Sequence, residues 1–321
     1  MAIPFRNDAN DANDANDAND ANDANSGIVS GVDAYAGRVS SPLLARALQT
    51  TFGEITRGLT GPLKPAPAPG AIDPEARMGR WSRDVRGHMY EFELLSGLTF
   101  DGKKHELTRS DTGARHKMID PPYEKTQQDL LDALDEVIAK AALRPDRMEE
   151  ILTQVTLPYA FFAMVLNLQP GRHRYTYELM AAVWRLSTSV AMQFKHSFGI
   201  RRPADRSPLV QPVLLTPGHG AYPAGHATQG AIVVEVLKQL LPLGTPGADD
   251  RADQLDRLAA RIAENRVVAG LHFTADNAAG KDLGKWLGEY FCARCDIPGG
   301  TSPTDYTALQ WLWEQARGEW S

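Results

Sequence analysis

The stretch LDRLAARIAENRVVAGLHFTAD, residues 255–276, decides the fold. Its apolar residues recur at spacings of three and four, which is typical of a helix with one buried face. Continued at the same spacing, that face carries Arg266, His272 and Asp276. Buried charges are costly unless they are paired or bind a ligand. The stretch therefore predicts a helix over 249–275 whose charged end is either a structural ion-pair cluster or a binding site.

The same helical periodicity covers most of the chain beyond residue 120. Prolines and glycines fall between the periodic segments, and strand-like alternation is confined to two short stretches. The predicted fold is therefore all-α, a helical bundle. Further helices are predicted over 124–142, 146–168, 175–198, 225–241, 278–294 and 305–317, and a hairpin over 89–98 and 104–108.

Composition divides the chain into three parts. An Asn-Asp-Ala repeat fills most of residues 1–27 and has no large apolar group to bury, so we predict a disordered tail there. Residues 28–120, which include the proline-rich stretch 61–74, are predicted to form an irregular and helical N-terminal wrap. The helical catalytic bundle is expected over 121–321, with its site within 195–285.

Charge and hydropathy narrow the classes of partner. The formal net charge is -6, and the repeat alone contributes six aspartates, so the rest of the chain is formally neutral. The sequence has no stripe of basic residues that would indicate nucleic acid as a partner. No apolar run is long enough to span a membrane, and the first residues lack a secretory signal, so a cytoplasmic protein is expected. The sequence leaves a homo-oligomer open.

A second segment, HGAYPAGHATQG (His219 to Gly230), predicts a helix beginning beside a histidine. Its Tyr-Pro-Ala-Gly stretch is typical of a loop, and an apolar run with helical spacing follows. Unpaired backbone N–H groups at a helix N-terminus attract anions, and the glycine permits close approach. His226 could shuttle a proton there. The simpler alternative is an ordinary helix start that happens to carry a histidine.

The third segment, KHSFGIRRP (Lys195 to Pro203), ends a predicted helix with two cations. Small residues one and two turns before Lys195 would let its ammonium turn inward. Together with the Arg202 guanidinium it suits a tetrahedral oxyanion. By itself such a string is more often a solvated surface.

Taken together, the order and spacing of these segments resemble the signature K-x6-R-P, P-S-G-H and S-R-x5-H-x3-D. This is the signature of the superfamily shared by type 2 phosphatidic acid phosphatases, bacterial class A acid phosphatases and vanadium-dependent haloperoxidases. The resemblance covers roughly residues 195–285, and every internal spacing fits. Two positions depart from it, because Ala224 and Asn265 replace the two signature serines. Loss of the first hydroxyl removes one hydrogen bond to the oxyanion.

The resemblance implies a role for each matching residue. His272 would attack phosphorus in a phosphatase or ligate vanadium, the implied metal, in a haloperoxidase. Asp276 would orient it, and His226 would be the acid–base group. The residues expected to hold the oxyanion are Lys195, Arg202, Gly225 and Arg266.

Two enzymes of this superfamily fit the same residues. Our first hypothesis is that the protein is a vanadate-dependent haloperoxidase, which oxidises halide with hydrogen peroxide. The late position of the site and the run beginning at Gly270 favour it, as does His219, which with Ala224 is the candidate for the halide pocket. The alternative is a soluble phosphatase, which needs no cofactor and hydrolyses phosphomonoesters through a phosphohistidine.

Two further hypotheses assign the chain to other classes of protein. His219, His226, His272 and Asp276 could ligate a divalent metal, but the three nearby cations would repel a dication. A helical interaction protein with a degenerate site is the non-enzymatic alternative, and Ala224 is its only support.

Overall fold

The computed structural model describes residues 42–58, 74–241, 247–296 and 307–320. The predicted tail over 1–27 lies outside these residues, as does the proline-rich stretch up to its last residue, Pro74. In chain order the described elements are helices α1 (Pro42–Ile55), α2 (Pro74–Arg80) and α3 (Arg83–Ser96), strands β1 (Leu98–Asp101), β2 (Glu106–Arg109) and β3 (Arg115–Lys117), and helices α4 (Gln127–Lys140), α5 (Arg144–Thr153), α6 (Tyr159–Leu166), α7 (Arg174–Phe198), α8 (Pro203–Arg206), α9 (Gly225–Leu240), α10 (Ala248–Val268), α11 (Thr274–Asp296) and α12 (Ala308–Gly318).

Helix α9 is the centre of the bundle. Of its 16 residues, 11 are buried, including the run from Ala231 to Val234. It packs against α7, α10 and α11, and the apolar residues of these helices form one main core. A helix that is apolar on nearly all sides is stable only when other helices surround it. The prediction of an all-α fold is thus confirmed.

Helices α9 and α11 form the most extensive contact between two described helices, and they meet along a glycine stripe of α11. Gly280, Gly284 and Gly288 follow one another at intervals of four residues and so share one face. A Cβ atom on Gly280 would lie 2.5 Å from the carbonyl oxygen of Ala224. The absence of side chains on this stripe therefore lets the beginning of α9 lie directly against α11.

Replacing Gly284 by alanine is expected to lower the free energy of unfolding by about 1–3 kcal/mol, although alanine favours helices. The added Cβ would lie 2.4 Å from the Thr228 carbonyl oxygen and 2.7 Å from the Ala231 Cβ, so the two helices must separate. Urea unfolding measures the change. Gly79→Ala is the control, because a Cβ there meets nothing within 4 Å and should be neutral or slightly stabilising. Equal effects of the two substitutions would contradict this account of the packing.

The long helix predicted over 249–275 is wrong at its C-terminal end. Helix α10 stops at Val268, and Gly270 adopts a left-handed conformation with φ of +81°. Helix α11 then begins at Thr274. Glycine takes positive φ at little cost, and so the chain turns where the periodicity alone continues. His272 consequently lies in the connection between the two helices, and Asp276 in the first turn of α11.

The predicted hairpin is also corrected. Residues 89–96 belong to helix α3, and three antiparallel strands follow it in the order β1-β2-β3. Phe100 pairs with Leu107 across β1 and β2, and Leu107 pairs with His116 across β2 and β3. The alternation in 89–98 was misleading because a short apolar run fits either period.

The helix predicted over 146–168 is two helices, α5 and α6. The chain leaves α5 at Gln154 and enters α6 after Pro158. Proline disfavours helical backbone in the residue before it, which accounts for the break. The interruption places the fully buried Gln154 at the end of α5.

Among the helices that the structure describes, none has both the length and the apolar composition needed to cross a bilayer.

Candidate active site

The three sequence segments meet at one buried place in the bundle. Lys195 lies in the last turn of α7, Arg202 just before α8, and Arg266 in the last turn of α10. Each of these three cations is at most 3% exposed. The backbone N–H of Ala224, which precedes α9, donates to the Asp276 carbonyl oxygen at 3.0 Å. Backbone contact thus joins the start of α9 to the start of α11.

His272 is held by Asp276 through one ring nitrogen. Its Nδ1 lies 3.1 Å from Asp276 Oδ2, which also accepts from the Phe273 N–H at 2.9 Å. Burial, and next the charge of Lys195, hold the pKa of His272 well below its usual range, so the ring is neutral. Since a carboxylate only accepts, Nδ1 carries the proton and Nε2 keeps its lone pair, which faces the Arg202 guanidinium at 3.3 Å. That nitrogen is available as a nucleophile or a ligand.

The Asp276 carboxylate receives a further hydrogen bond from Tyr123. The Tyr123 hydroxyl donates to Asp276 Oδ1 at 2.5 Å, and its ring lies against Phe273. Burial is the main reason why the pKa of Asp276 is raised to about 6, while the Tyr123 hydrogen bond opposes that rise. The sequence contains no local signal for Tyr123, which lies 153 residues from its partner.

Arg202 connects His272 to the loop before α9. Its Nη1 donates to the Leu271 carbonyl oxygen at 2.9 Å and lies 3.3 Å from His272 Nε2. Its Nε donates to the His219 carbonyl oxygen, and its Nη2 lies 3.1 Å from His219 Nδ1. The candidate pocket residue His219 is therefore beside Arg202, at the more exposed edge of the site.

Lys195 contacts the same loop. Its Nζ donates to the carbonyl oxygens of Gly220 and Ala221 at 3.0 and 2.9 Å. Burial, with a smaller contribution from the Arg202 charge, lowers the pKa of Lys195 to about 7. The ammonium keeps one of its three donors beyond these two bonds.

Of the three buried cations, Arg266 makes the fewest hydrogen bonds within the described residues. Its Nη2 donates to the Ile151 carbonyl oxygen at 2.9 Å, but within the described ranges its buried Nε has no hydrogen-bond partner. Burial lowers the pKa of Arg266 to about 10. A buried guanidinium with an unused donor is costly unless an anion binds it. This orphaned donor is what an oxyanion would satisfy.

The beginning of α9 supplies backbone donors next to these cations. Ala224 is its N-cap residue and gives no side-chain hydrogen bond. A Cβ on Gly225 would meet nothing within 4 Å, so the space beside its Cα is open. His226 follows, and its Nε2 lies 2.9 Å from the Gln154 carbonyl oxygen. Burial first and Arg266 second lower the pKa of His226 to about 4.

Asn265, the second departure from the signature, is fully buried and faces α5. Its Nδ2 donates to Glu150 Oε2 at 2.8 Å and to Gln154 Oε1 at 2.9 Å. Sequence reasoning identified none of these α5 contacts, because Gln154 lies in a break between helices, 111 residues from Asn265.

The structure thus brings together all nine residues singled out in the sequence, although their catalytic and binding roles stay predictions. The divalent-metal alternative gains no support: in the part of the chain that the structure describes, no group of three or more His, Cys, Asp or Glu residues could hold a metal ion.

Part of the chain is similar to a curated protein. It is a non-specific acid phosphatase from Salmonella typhimurium (strain LT2), 29% identical over 104 residues. The match covers 32% of this chain and 35% of the relative, so the chain spans about a third of the length of the protein it matches. No family model matches the chain. The relative is a phosphatase, which favours the phosphatase alternative; no comparison supports vanadium, halide or peroxide chemistry.

One solved structure that matches is a transmembrane PAP2-type phosphatidylglycerolphosphate phosphatase from Bacillus subtilis. The identity is 18%, the TM-score is 0.42, and the match covers 56% of this chain and 91% of that one. At these values the likeness carries no argument about this chain. The prediction of a cytoplasmic protein is corrected, because it rested on absences, and absences assign no location.

The sequence motifs, the site and the curated relative agree with one another. The three motif blocks keep the spacing of the signature, their side chains meet in one buried site of an all-α bundle, and the curated relative is an acid phosphatase. In its motif spacing and in this partial match, the chain is similar to the superfamily that includes type 2 phosphatidic acid phosphatases and acid phosphatases.

Proposed function

We propose that this chain is a phosphatase that hydrolyses phosphomonoesters through a phosphohistidine on His272. One observation carries the proposal. A neutral histidine, held at Nδ1 by Asp276, presents Nε2 among three buried cations, Lys195, Arg202 and Arg266. Such a site suits a nucleophile that attacks an anion whose charge the cations stabilise.

The chemistry follows from these positions. His272 Nε2 forms a bond to phosphorus while the ester P–O bond breaks, and the leaving oxygen takes a proton from His226. Water then attacks the phosphorus, His226 accepts its proton, the P–N bond breaks, and phosphate leaves. Asp276 stabilises the positive charge that forms on the His272 ring.

His226 must be protonated to act as the acid in the first step. Its pKa of about 4 belongs to the protein without an anion, where burial and the Arg266 charge disfavour a second cation. A phosphate dianion bound beside it would favour the protonated ring and raise that pKa. The acid therefore forms together with the substrate complex.

Vanadate has the shape of the phosphoryl transition state, and the residues present fit it. Lys195, Arg202, Gly225 and Arg266 would hold its oxygens, with His272 as the ligand to vanadium. Bound there, vanadate supplies a Lewis acid for halide oxidation by peroxide. Haloperoxidase activity is the second candidate function, because the curated relative is an acid phosphatase.

Parallel assays with the full chain test the function. We expect phosphate release from p-nitrophenyl phosphate, inhibited by orthovanadate, and no vanadate-dependent bromination of a phenol-red type acceptor with bromide and hydrogen peroxide. Vanadate-dependent halogenation without phosphate release would overturn the proposal in favour of the haloperoxidase. If the protein shows neither activity, the non-enzymatic interpretation remains.

The affinity for a tetrahedral anion is expected to fall as the pH rises above about 7. Lys195, whose pKa is lowered to about 7, is charged below that value and neutral above it. Tungstate keeps its charge over this range, so its inhibition constant should rise by up to about tenfold per pH unit above pH 7, as the loss of one linked proton requires. The neighbouring Arg202 stays charged, and the pKa of Asp276, about 6, lies below this range.

Lys195→Arg is the matched variant for this measurement. Arginine keeps its charge far above pH 7, so the part of the rise that Lys195 causes should disappear between pH 7 and 9. Any smaller rise that remains belongs to His226, whose ring takes up a proton in the complex. A constant that stays flat over this range in the unmodified protein would contradict the assignment of the pH dependence to Lys195.

A further inference from the structure

Two buried donors of the site have no acceptor within the described residues. One is Arg266 Nε, discussed above, and the other is the amide nitrogen Nε2 of Gln154. Gln154 is 0% exposed. An amide N–H that is removed from water without an acceptor is costly and calls for an explanation. An acceptor supplied by a ligand is one.

The orientation of the Gln154 amide follows from its neighbours. Arg261 forms two hydrogen bonds of 2.8 Å with Glu150, and these bonds are the main reason why the pKa of Glu150 is lowered to about 2. Glu150 is therefore an acceptor only, and the Asn265 atom that faces it is the donor Nδ2. The same Nδ2 also donates to Gln154 at 2.9 Å, so that end of Gln154 is the oxygen. The free end is then the donor, Nε2.

Gln154 lies among groups of the proposed anion site. Its own carbonyl oxygen contacts His226 Nε2, and its side chain contacts Asn265, the residue before Arg266. One turn earlier, the Ile151 carbonyl oxygen accepts from Arg266 Nη2. The end of α5 is thus attached both to the proposed acid–base histidine and to the arginine helix.

We propose that Gln154 Nε2 donates a hydrogen bond to the bound oxyanion and supplies the donor that Ala224 lacks. This inference rests on the anion site of the proposed function and names a further substrate-binding residue in it. Asn265 is a positioning residue, because it holds the Gln154 oxygen and leaves Nε2 free for the anion. The two departures from the family signature are then linked: one removes a donor, and the other orients its replacement.

Anion binding by three proteins tests the proposal, with tungstate as the probe in isothermal titration at pH 7. Gln154→Met removes the amide and keeps the length of the side chain. We expect it to weaken tungstate binding about 10–100-fold, as the loss of one hydrogen bond to a charged group predicts. Gln154→Glu keeps an oxygen for Asn265 but replaces the donor by a second oxygen. It should bind tungstate more weakly still, and recover in part at lower pH, when the carboxyl is protonated.

A purely structural role predicts the opposite order. The glutamate variant keeps the hydrogen bond from Asn265 and would then be milder than the methionine variant. This order, or unchanged affinity in both variants, would overturn the proposal. Gln229→Met is the control: this buried glutamine already donates from Nε2 to Thr188 Oγ1 at 2.8 Å, so its loss should change affinity less than about twofold.

Restoring the signature serine gives an independent test. Ala224→Ser should recover most of the affinity lost in Gln154→Met, because the hydroxyl offers the missing donor. No recovery would contradict the idea that the two groups serve the same anion. Thermal unfolding without tungstate shows whether each variant is folded.

The failure of this inference is distinguishable from failure of the proposed function, because binding needs no turnover. If the unmodified protein binds tungstate but hydrolyses no ester, the phosphatase proposal fails and the Gln154 comparison still decides the inference. If it hydrolyses p-nitrophenyl phosphate while Gln154→Met and Gln154→Glu bind tungstate normally, only the inference fails. Absence of tungstate binding by the unmodified protein overturns both.

Discussion

Replacing His272 by alanine is expected to lower kcat for p-nitrophenyl phosphate on the order of 10⁴-fold or more. The substitution removes Nε2, the atom that would bond to phosphorus, while Lys195, Arg202 and Arg266 remain to bind the substrate. KM should therefore change far less than kcat. Rapid-quench experiments check the chemistry directly, since an acid-labile phosphoryl group should accumulate on the unmodified protein and be absent from the variant.

His173→Asn is the matched control for that experiment. His173 is also a buried histidine, 6% exposed, but its Nδ1 accepts from the Gln169 N–H and its ring lies near Trp320, away from the site. Activity should stay within a few-fold of the unmodified protein. If His272→Ala retained activity comparable to the control, the phosphohistidine mechanism would be wrong.

Replacing Asp276 by asparagine is expected to lower kcat by about 10³-fold or more, although the two side chains have nearly the same shape. Three donors converge on this carboxylate, from His272 Nδ1, the Phe273 N–H and the Tyr123 hydroxyl. Asparagine has only one acceptor oxygen. If its amide nitrogen faces His272, the ring proton moves to Nε2, and the lone pair that would attack phosphorus is lost.

Combining the two substitutions checks that these residues act as a unit. Adding Asp276→Asn to His272→Ala should cause little further loss, because the carboxylate acts through the histidine. Asp282→Asn is the control on the same helix; that carboxylate is 78% exposed, and activity should be unchanged within about twofold. Fully additive losses in the double variant would contradict the orienting role of Asp276.

The motif residues could be predicted from the sequence because their constraints are local. Lys195 follows small residues on its helix, and the glycine at 225 stands where a helix must begin. Such features depend on spacing along one segment, and the family signature records the same spacing. The all-α class follows in the same way from the periodicity of apolar residues.

Local periodicity also produced the clearest error. The stripe from Leu255 onward continues through His272 to Asp276 with helical spacing, yet the helix ends at Val268. Gly270 changes the direction of the chain, and the hydrogen bond between His272 and Asp276 forms across the entry to α11 rather than within α10. A correct pairing was thus predicted from an incorrect helix.

By itself, the sequence determined which residue types carry the chemistry, their order and the helical class of the fold. Only the tertiary structure decided that Tyr123 donates to Asp276 and that Gln154 contacts both Asn265 and His226. The reason is physical: periodicity reports which face of a helix is buried, but not which distant helix covers it. Which helices meet depends on how closely they can pack. The glycine stripe of α11, for example, allows close contact with the beginning of α9. Close packing is a property of the assembled bundle and not of one segment.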